Sequence, residues 1–384
     1  MNLVDTTQIN VAETIIDFSI GQPDPDLLPL DIIQQASKHH FENNISPALL
    51  AYGAEPGSRQ FRTLLADFLK HHYQTPVQAD HILVTNGNSQ GLDFMCTLFC
   101  QSGDTIFVED PTYNLAIDIF TDHQLNVVGI PIDKEGLIIE ALEEKLKRHR
   151  PKFIYTIPTF HNPSGVTLSG KRREKLVELS QKNKFLIVAD EVYHLLSFNT
   201  TPPVPLGSFI RSETVISLGT FSKILAPGLR LGWIQAGSSI IKQLISTGLL
   251  KSGGGSNPFT SAIIGSVLEL GLLDKYLDHI RKVYQQRSTT LHASLKEHLP
   301  DLNLPCESEG GYFYWLHFPD QINVQKLLKI AQQLEVNFKP GIDFSCSRKS
   351  ENYARLCYAF YNEEKLITGV KRLAKAFTIF RKES

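Results

Sequence analysis

Apolar residues recur along the chain with two periods, and Gly, Pro, Asn and Asp punctuate both kinds of run. Residues 27–43 carry apolar positions at helical spacing and predict an amphipathic helix. The β-branched run at residues 82–85 predicts a strand that stops at Asn86-Gly87-Asn88-Ser89, and a helical pattern starts at Leu92. DTIFVEDPTYNLAIDIF repeats this strand, turn and helix, with Tyr113 directly after Asp110-Pro111-Thr112. LNVVGIPID is a further strand, ALEEKLKRHRPK a charged surface helix, and FIYTIP a strand running into Asn162-Pro163-Ser164-Gly165. Residues 185–189 form an apolar strand delivering Asp190, and ETVISLGT is the strand before Ser222-Lys223. Strands alternating with helices, each ending in polar residues, predict a doubly wound, mainly parallel α/β sheet with its site outside the strands' carboxyl ends.

The second half has a different texture. Residues 274–299 read as one long helix connecting two lobes, with Arg281, Lys282 and Arg287 on a solvated face. GGYFYWLHFP, residues 310–319, is a dense aromatic strand best read as sheet core. Phe338-Lys339-Pro340-Gly341 turns towards Phe344, ARLCYAF places Arg355 inside an apolar strand, and residues 363–380 form an amphipathic helix. A chain of 384 residues is long for one core. The expected division is 1–45 as an N-terminal arm and part of a small domain, 46–280 as a large domain, and 281–384 as a small C-terminal domain.

Composition narrows the function classes. With 42% hydrophobic and 20% charged residues and a net charge of -2, the chain is an ordinary globular protein. That balance argues against nucleic acid or an anionic membrane as the main partner. Five scattered cysteines without a CxxC pair fit reduced thiols in a cytoplasmic protein, and no metal site is expected. The start of the sequence lacks signal-peptide features, and no apolar run approaches a membrane span.

The chemistry gathers at GTFSKILAPGLRLGW, residues 219–233. Lys223 has few charged neighbours, Thr220 and Ser222 supply hydroxyls, and Arg230 follows a Pro-Gly loop. A lysine amine condenses with an aldehyde, while Arg and hydroxyls suit a phosphate. The turn Gly87-Asn88-Ser89 before a helix points backbone N–H groups at an anion, although the same residues also suit a plain N-cap. Asp190 after its strand fits either a helix cap or a buried carboxylate, and Arg355 either an internal ion pair or an anion site.

In this order and spacing the residues resemble the fold-type I pyridoxal 5′-phosphate aminotransferases of class I/II, closest to the branch of 2-aminoadipate and kynurenine aminotransferases. The resemblance spans essentially the whole chain and implies a homodimer with sites at the interface. It makes Lys223 the residue that binds the cofactor and then serves as acid and base, Asp190 the partner of the ring nitrogen, and Tyr193 and Asn162 donors to the phenolic oxygen. Tyr113 would stack on the ring; Gly87, Asn88, Ser89, Thr220, Ser222 and Arg230 would hold the phosphate, joined by Tyr52 from the neighbouring subunit. Arg355, Asn162 and Gly21 would meet the substrate carboxylate. The implied reaction moves an amino group between an L-amino acid and a 2-oxo acid, with 2-oxoglutarate as the expected acceptor. A carbon–sulfur β-lyase on the same fold shares every cofactor residue. A non-catalytic regulatory domain would need a basic DNA-binding module, for which the short acidic N-terminus leaves no room. Residues 1–20 contain no Lys or Arg, which counts against a preference for side-chain carboxylates and favours a broad donor range. Tyr113, Tyr314 and Phe344 are candidates for the donor pocket, and Arg59 or Arg348 for a cation that receives glutamate.

Overall fold

The strands read from the sequence lie side by side in an eight-stranded sheet. Its order is Ile82–Thr85, Gly232–Ala236, Val215–Thr220, Leu186–Asp190, Phe153–Thr156, Thr105–Asp110, Asn126–Asp133 and Gly136–Leu137. The computed structural model describes residues 11, 12, 14–43 and 46–383. Gly232–Ala236 runs against both its neighbours and Gly136–Leu137 folds back on Asn126–Asp133, while the other strands share one direction. Helices cover both faces, so central strands are buried throughout: all six residues of Val215–Thr220 are inaccessible. Alternate residues serve different layers. Tyr155 and Val188 face the larger core cluster, Ile154 and Ile187 the smaller one.

A second, antiparallel sheet contains Phe313–His317, Tyr353–Cys357 and Lys339–Pro340. Near it Ile16–Asp17 pairs in parallel with Val336–Asn337. The helix Leu272–His298 runs 27 residues and packs along Glu363–Glu383.

Two expectations fail here. Arg287 is not on a solvated face: it is 4% exposed, ion-paired with Asp24 at 2.7 Å, and donates to the Ala359 carbonyl at 2.8 Å. Arg281 likewise donates to the Leu195 carbonyl. The helix crosses between segments that bury it on more than one side, so Arg281 and Arg287 find partners in the protein, while Lys282 is exposed as expected. Tyr314 does not reach a donor pocket. It alternates away from Phe313 and Trp315, and its hydroxyl meets His292 at 2.9 Å and the Pro305 carbonyl at 3.1 Å.

Gly219 lies opposite Trp233, and a Cβ there would sit 2.2 Å from the indole. Gly219→Ala should therefore cost about 1–3 kcal/mol through overpacking. A urea midpoint equal to that of the unaltered protein would show that the indole moves aside.

Candidate active site

Register brings the polar turns together. Thr85 and Thr220 both pair with Gly232, from opposite sides, so the turns after their strands leave the sheet at one edge. Gly87 has φ +83, and a Cβ on it would come within 3.0 Å of Arg230 Nη2. The absence of a side chain lets the guanidinium approach. Arg230, itself left-handed at φ 46, donates to the carbonyls of Pro227 at 3.3 Å and Asn86 at 3.2 Å. It thus lies against the N-terminus of the helix Asn88–Phe99, where unpaired N–H groups favour an anion. Thr220 Oγ1 and Ser222 Oγ are 2.9 Å apart on the adjoining turn, and Ser89 is exposed in the helix's first turn.

Asp190 ends its strand at the same edge and is 5% exposed. Its Oδ1 accepts from Asn88 Nδ2 at 2.5 Å and its Oδ2 from the Tyr155 hydroxyl at 2.9 Å. Both donors are neutral. Burial pushes the carboxyl up to about 6, against the opposing pull of those two donors. Tyr113, at the start of the helix Asn114–Asp122, is half-buried, and burial with the nearby Asp190 charge pushes its phenol up to about 12. Tyr193 is buried edge-on against Phe313 at 5.8 Å. Burial holds its phenol well above the usual value.

Lys223 and Arg355 come from different sheets and meet one stretch of the N-terminal segment. Lys223 Nζ donates to the Gly21 carbonyl at 2.8 Å, and Arg355 Nη2 to the Ser19 carbonyl at 2.6 Å. Loss of water contact lowers the Lys223 amine to about 8, with Arg355 and Arg230 adding repulsion and Cys357 and Asp190 opposing. Arg355 is 5% exposed, and its Nη1 donates to Asn162 Oδ1 at 3.0 Å. An arginine has no acceptor, so this contact fixes the oxygen of the amide and leaves the Asn162 NH₂ as a donor. The rings of Phe313 and Phe344 flank the guanidinium at 4.2 and 4.9 Å. A half-buried amine, a buried carboxylate and an anion cradle thus lie at one edge of the large sheet.

The sequence matches the profile of aminotransferase class I and II over residues 13–373. The chain belongs to that family. It is 36% identical to aromatic-amino-acid aminotransferase 1 of Thermococcus litoralis, with 98% of this chain and 89% of the relative covered. Kynurenine aminotransferase from Pyrococcus horikoshii, solved with PMP and its substrates and products, superposes with a TM-score of 0.88 at 33% identity, covering 96% of this chain and 92% of the other. The α-aminoadipate aminotransferase of Thermus thermophilus, complexed with N-(5′-phosphopyridoxyl)-L-leucine, gives 0.87 at 27% identity, covering 97% and 94%. The fold is that of the type I aminotransferases, the cofactor is pyridoxal 5′-phosphate, and the reaction is amino-group transfer between an amino acid and a 2-oxo acid.

The residues present fit that cofactor. A phosphate matches the cradle of Arg230, Gly87 and the helix N-terminus, an aldehyde matches an amine lowered to about 8, and a protonated ring nitrogen matches a buried carboxylate whose donors are neutral. Gly21, Gly87, Asn88, Tyr113, Asn162, Asp190, Tyr193, Thr220, Ser222, Lys223, Arg230 and Arg355 gather at this site, with Ser89 in the first turn of its helix. Tyr52 stands apart at 87% exposure, its segment packed on Gly254. Arg59 pairs with Asp80 at the surface, and Arg348 is exposed in the turn after Phe344. Of the arginine-free stretch 1–20, residues 1–10 and 13 lie outside the described residues. Among the described residues no helix is long and apolar enough to cross a membrane.

Tyr155 was not singled out in the sequence, and Tyr312 and Phe313 were read there only as sheet core. Tyr312 donates to the Lys223 carbonyl at 3.1 Å, with its ring 5.5 Å from Nζ. Their only signal was position: two aromatics after Gly310-Gly311, and one tyrosine in the strand neighbouring that of Asp190.

With the cofactor removed, the Lys223 amine should titrate near 8, below the usual lysine value of 10.5, and be mostly neutral above that midpoint. Reductive ¹³C-methylation followed by NMR reads it. A Lys223 resonance titrating with the surface lysines would show that the site does not desolvate the amine.

Proposed function

We propose that Lys223, Asp190 and Arg355 divide the work of this aminotransferase. Lys223 would bind the cofactor aldehyde, and its Nζ, released when the substrate amine takes its place, would move the substrate Cα proton to the cofactor's C4′. The cofactor, when bound, supplies an electron sink for the bond broken at Cα. Asp190 holds a proton on the ring nitrogen, Tyr113 covers the ring face, and Tyr193 and Asn162 donate to the phenolic oxygen. Gly87, Asn88, Ser89, Thr220, Ser222 and Arg230 hold the phosphate. Arg355, with Asn162 and Gly21, orients the substrate carboxylate. The observation that carries this reading is the Gly21 and Ser19 carbonyls accepting from Lys223 and Arg355 at 2.8 and 2.6 Å, which brings both cations to one short stretch of chain.

The same proposal makes the active unit a homodimer in which the exposed Tyr52 reaches the neighbouring subunit's phosphate. It divides the chain at 1–45, 46–280 and 281–384, supported by the pairing of Ile16–Asp17 with Val336–Asn337. It takes 2-oxoglutarate as acceptor and a broad range of donors. Similarity to enzymes named for aromatic amino acids and kynurenine, and to one complexed with a leucine conjugate, supports that breadth.

Lys223→Ala should give folded protein without the long-wavelength absorbance of covalently bound cofactor and without measurable turnover; retention of both would end the assignment. In a donor panel with 2-oxoglutarate, aromatic and long aliphatic amino acids should at least equal 2-aminoadipate in kcat/KM. A lead of ~10-fold for 2-aminoadipate, about 1.4 kcal/mol of discrimination, would refute the donor range.

A further inference from the structure

Tyr155 is fully buried, and its phenol donates a hydrogen bond to Asp190 Oδ2 at 2.9 Å. It sits on Phe153–Thr156, where it pairs with Val188; Asp190, two residues further along, therefore presents its side chain on the same face. Phe120 packs edge-on against the Tyr155 ring at 5.6 Å, from the helix that Tyr113 begins. The phenol is thereby pinned between that helix and the carboxylate. We propose that Tyr155 is a positioning residue of the transamination site, whose hydroxyl, together with the Asn88 amide, clamps Asp190 as an ionised acceptor aimed at the cofactor. This rests on the reading of Asp190 as the partner of the ring nitrogen.

The argument is one of competing effects. Burial opposes the Asp190 charge, and only donors or cations can retain it. Tyr155 donates to one carboxylate oxygen and Asn88 to the other, so each oxygen has a donor that rewards ionisation. The Val192 N–H is a further donor and Lys223 adds a weaker attraction, whereas Glu191 next in the chain and the phenols of Tyr113 and Tyr193 are the other titratable groups around it. The Tyr155 proton stays on the phenol, because burial and the Asp190 charge hold that group well above its usual value. Tyr155 thus acts on the cofactor only through Asp190.

The test is the pH dependence of the pyridoxal 5′-phosphate dissociation constant, measured on the full-length protein alongside its melting temperature. Affinity should fall as pH drops through the Asp190 midpoint. Tyr155→Phe should move that acid limb up by about one to two pH units, the worth of one hydrogen bond to a charged group. In an Asp190→Asn background the same change should have no effect on affinity. Fluorotyrosine placed at 155 keeps the ring and strengthens the donor, so it should move the limb down, and it serves if Tyr155→Phe does not fold. An unmoved limb with either replacement, while Asp190→Asn weakens binding, would overturn the inference and leave the Asp190 reading intact. Equal losses with and without Asp190 would reduce Tyr155 to a packing role and overturn it too. If Asp190→Asn binds the cofactor like the unaltered protein, the Asp190 reading itself fails.

Discussion

Burial of charge without a compensating ion pair is the constraint on which this site depends. Asp190 is 5% exposed and its hydrogen-bond donors are neutral. Burial lifts its carboxyl from the usual carboxylate range to about 6, roughly 3 kcal/mol set against the charged form. Arg355 is equally buried, and what surrounds it is an amide oxygen, a backbone carbonyl and two aromatic faces. Lys223 is drawn the opposite way, down to about 8. Opposite charges that could neutralise each other are instead kept apart on different elements. Each is left with unmet attraction for a group of the other sign, which is the condition for holding a zwitterionic cofactor and an anionic substrate.

Keeping them apart is the work of topology. Asp190 and the turns at Gly87 and Ser222 project from one edge of the parallel strands, where helix N-termini also point. Arg355 arrives from the second sheet, and the N-terminal segment joins the two by giving one carbonyl to each cation. The turn before Tyr113 is tied to the same place, since Thr112 N donates to the Phe344 carbonyl at 2.8 Å. Tyr312, just before the strand Phe313–His317, and Phe313, its first residue, touch Lys223 and Arg355 respectively. A displacement of the small sheet would therefore disturb both cations together.

The sequence carried the alternation of strands and helices because fully buried strands are continuous apolar runs and their turns are marked by Gly, Pro and Asn. Residues at strand ends were legible for the same reason: a polar residue directly after an apolar run has few places to go. Tyr155 was not, because periodicity shows that a strand residue is buried without showing what it faces. Its partner depends on the register with a strand about 30 residues later. Asn88 was read as a cap or as backbone for an anion, yet its side chain is on Asp190. Arg287 read as solvated because helical periodicity shows one face at a time, whereas this helix is enclosed on more than one.

The surroundings of Arg355 and Lys223 bear on the donor range in the same physical terms. What the described part of the N-terminal segment offers there is backbone acceptors, the carbonyls of Ser19 and Gly21, and both are already engaged by cations. Acceptors repel a carboxylate and are indifferent to a ring or an alkyl chain. A second buried arginine that contacts this segment, Arg287, is spent on Asp24. The surfaces nearest Arg355 are the faces of Phe313 and Phe344. An aromatic or aliphatic side chain entering beside them exchanges water for apolar contact, whereas a second carboxylate would have to give up its hydration for a cation brought from elsewhere. The balance of those two costs, rather than any single recognition residue, is what sets the proposed breadth.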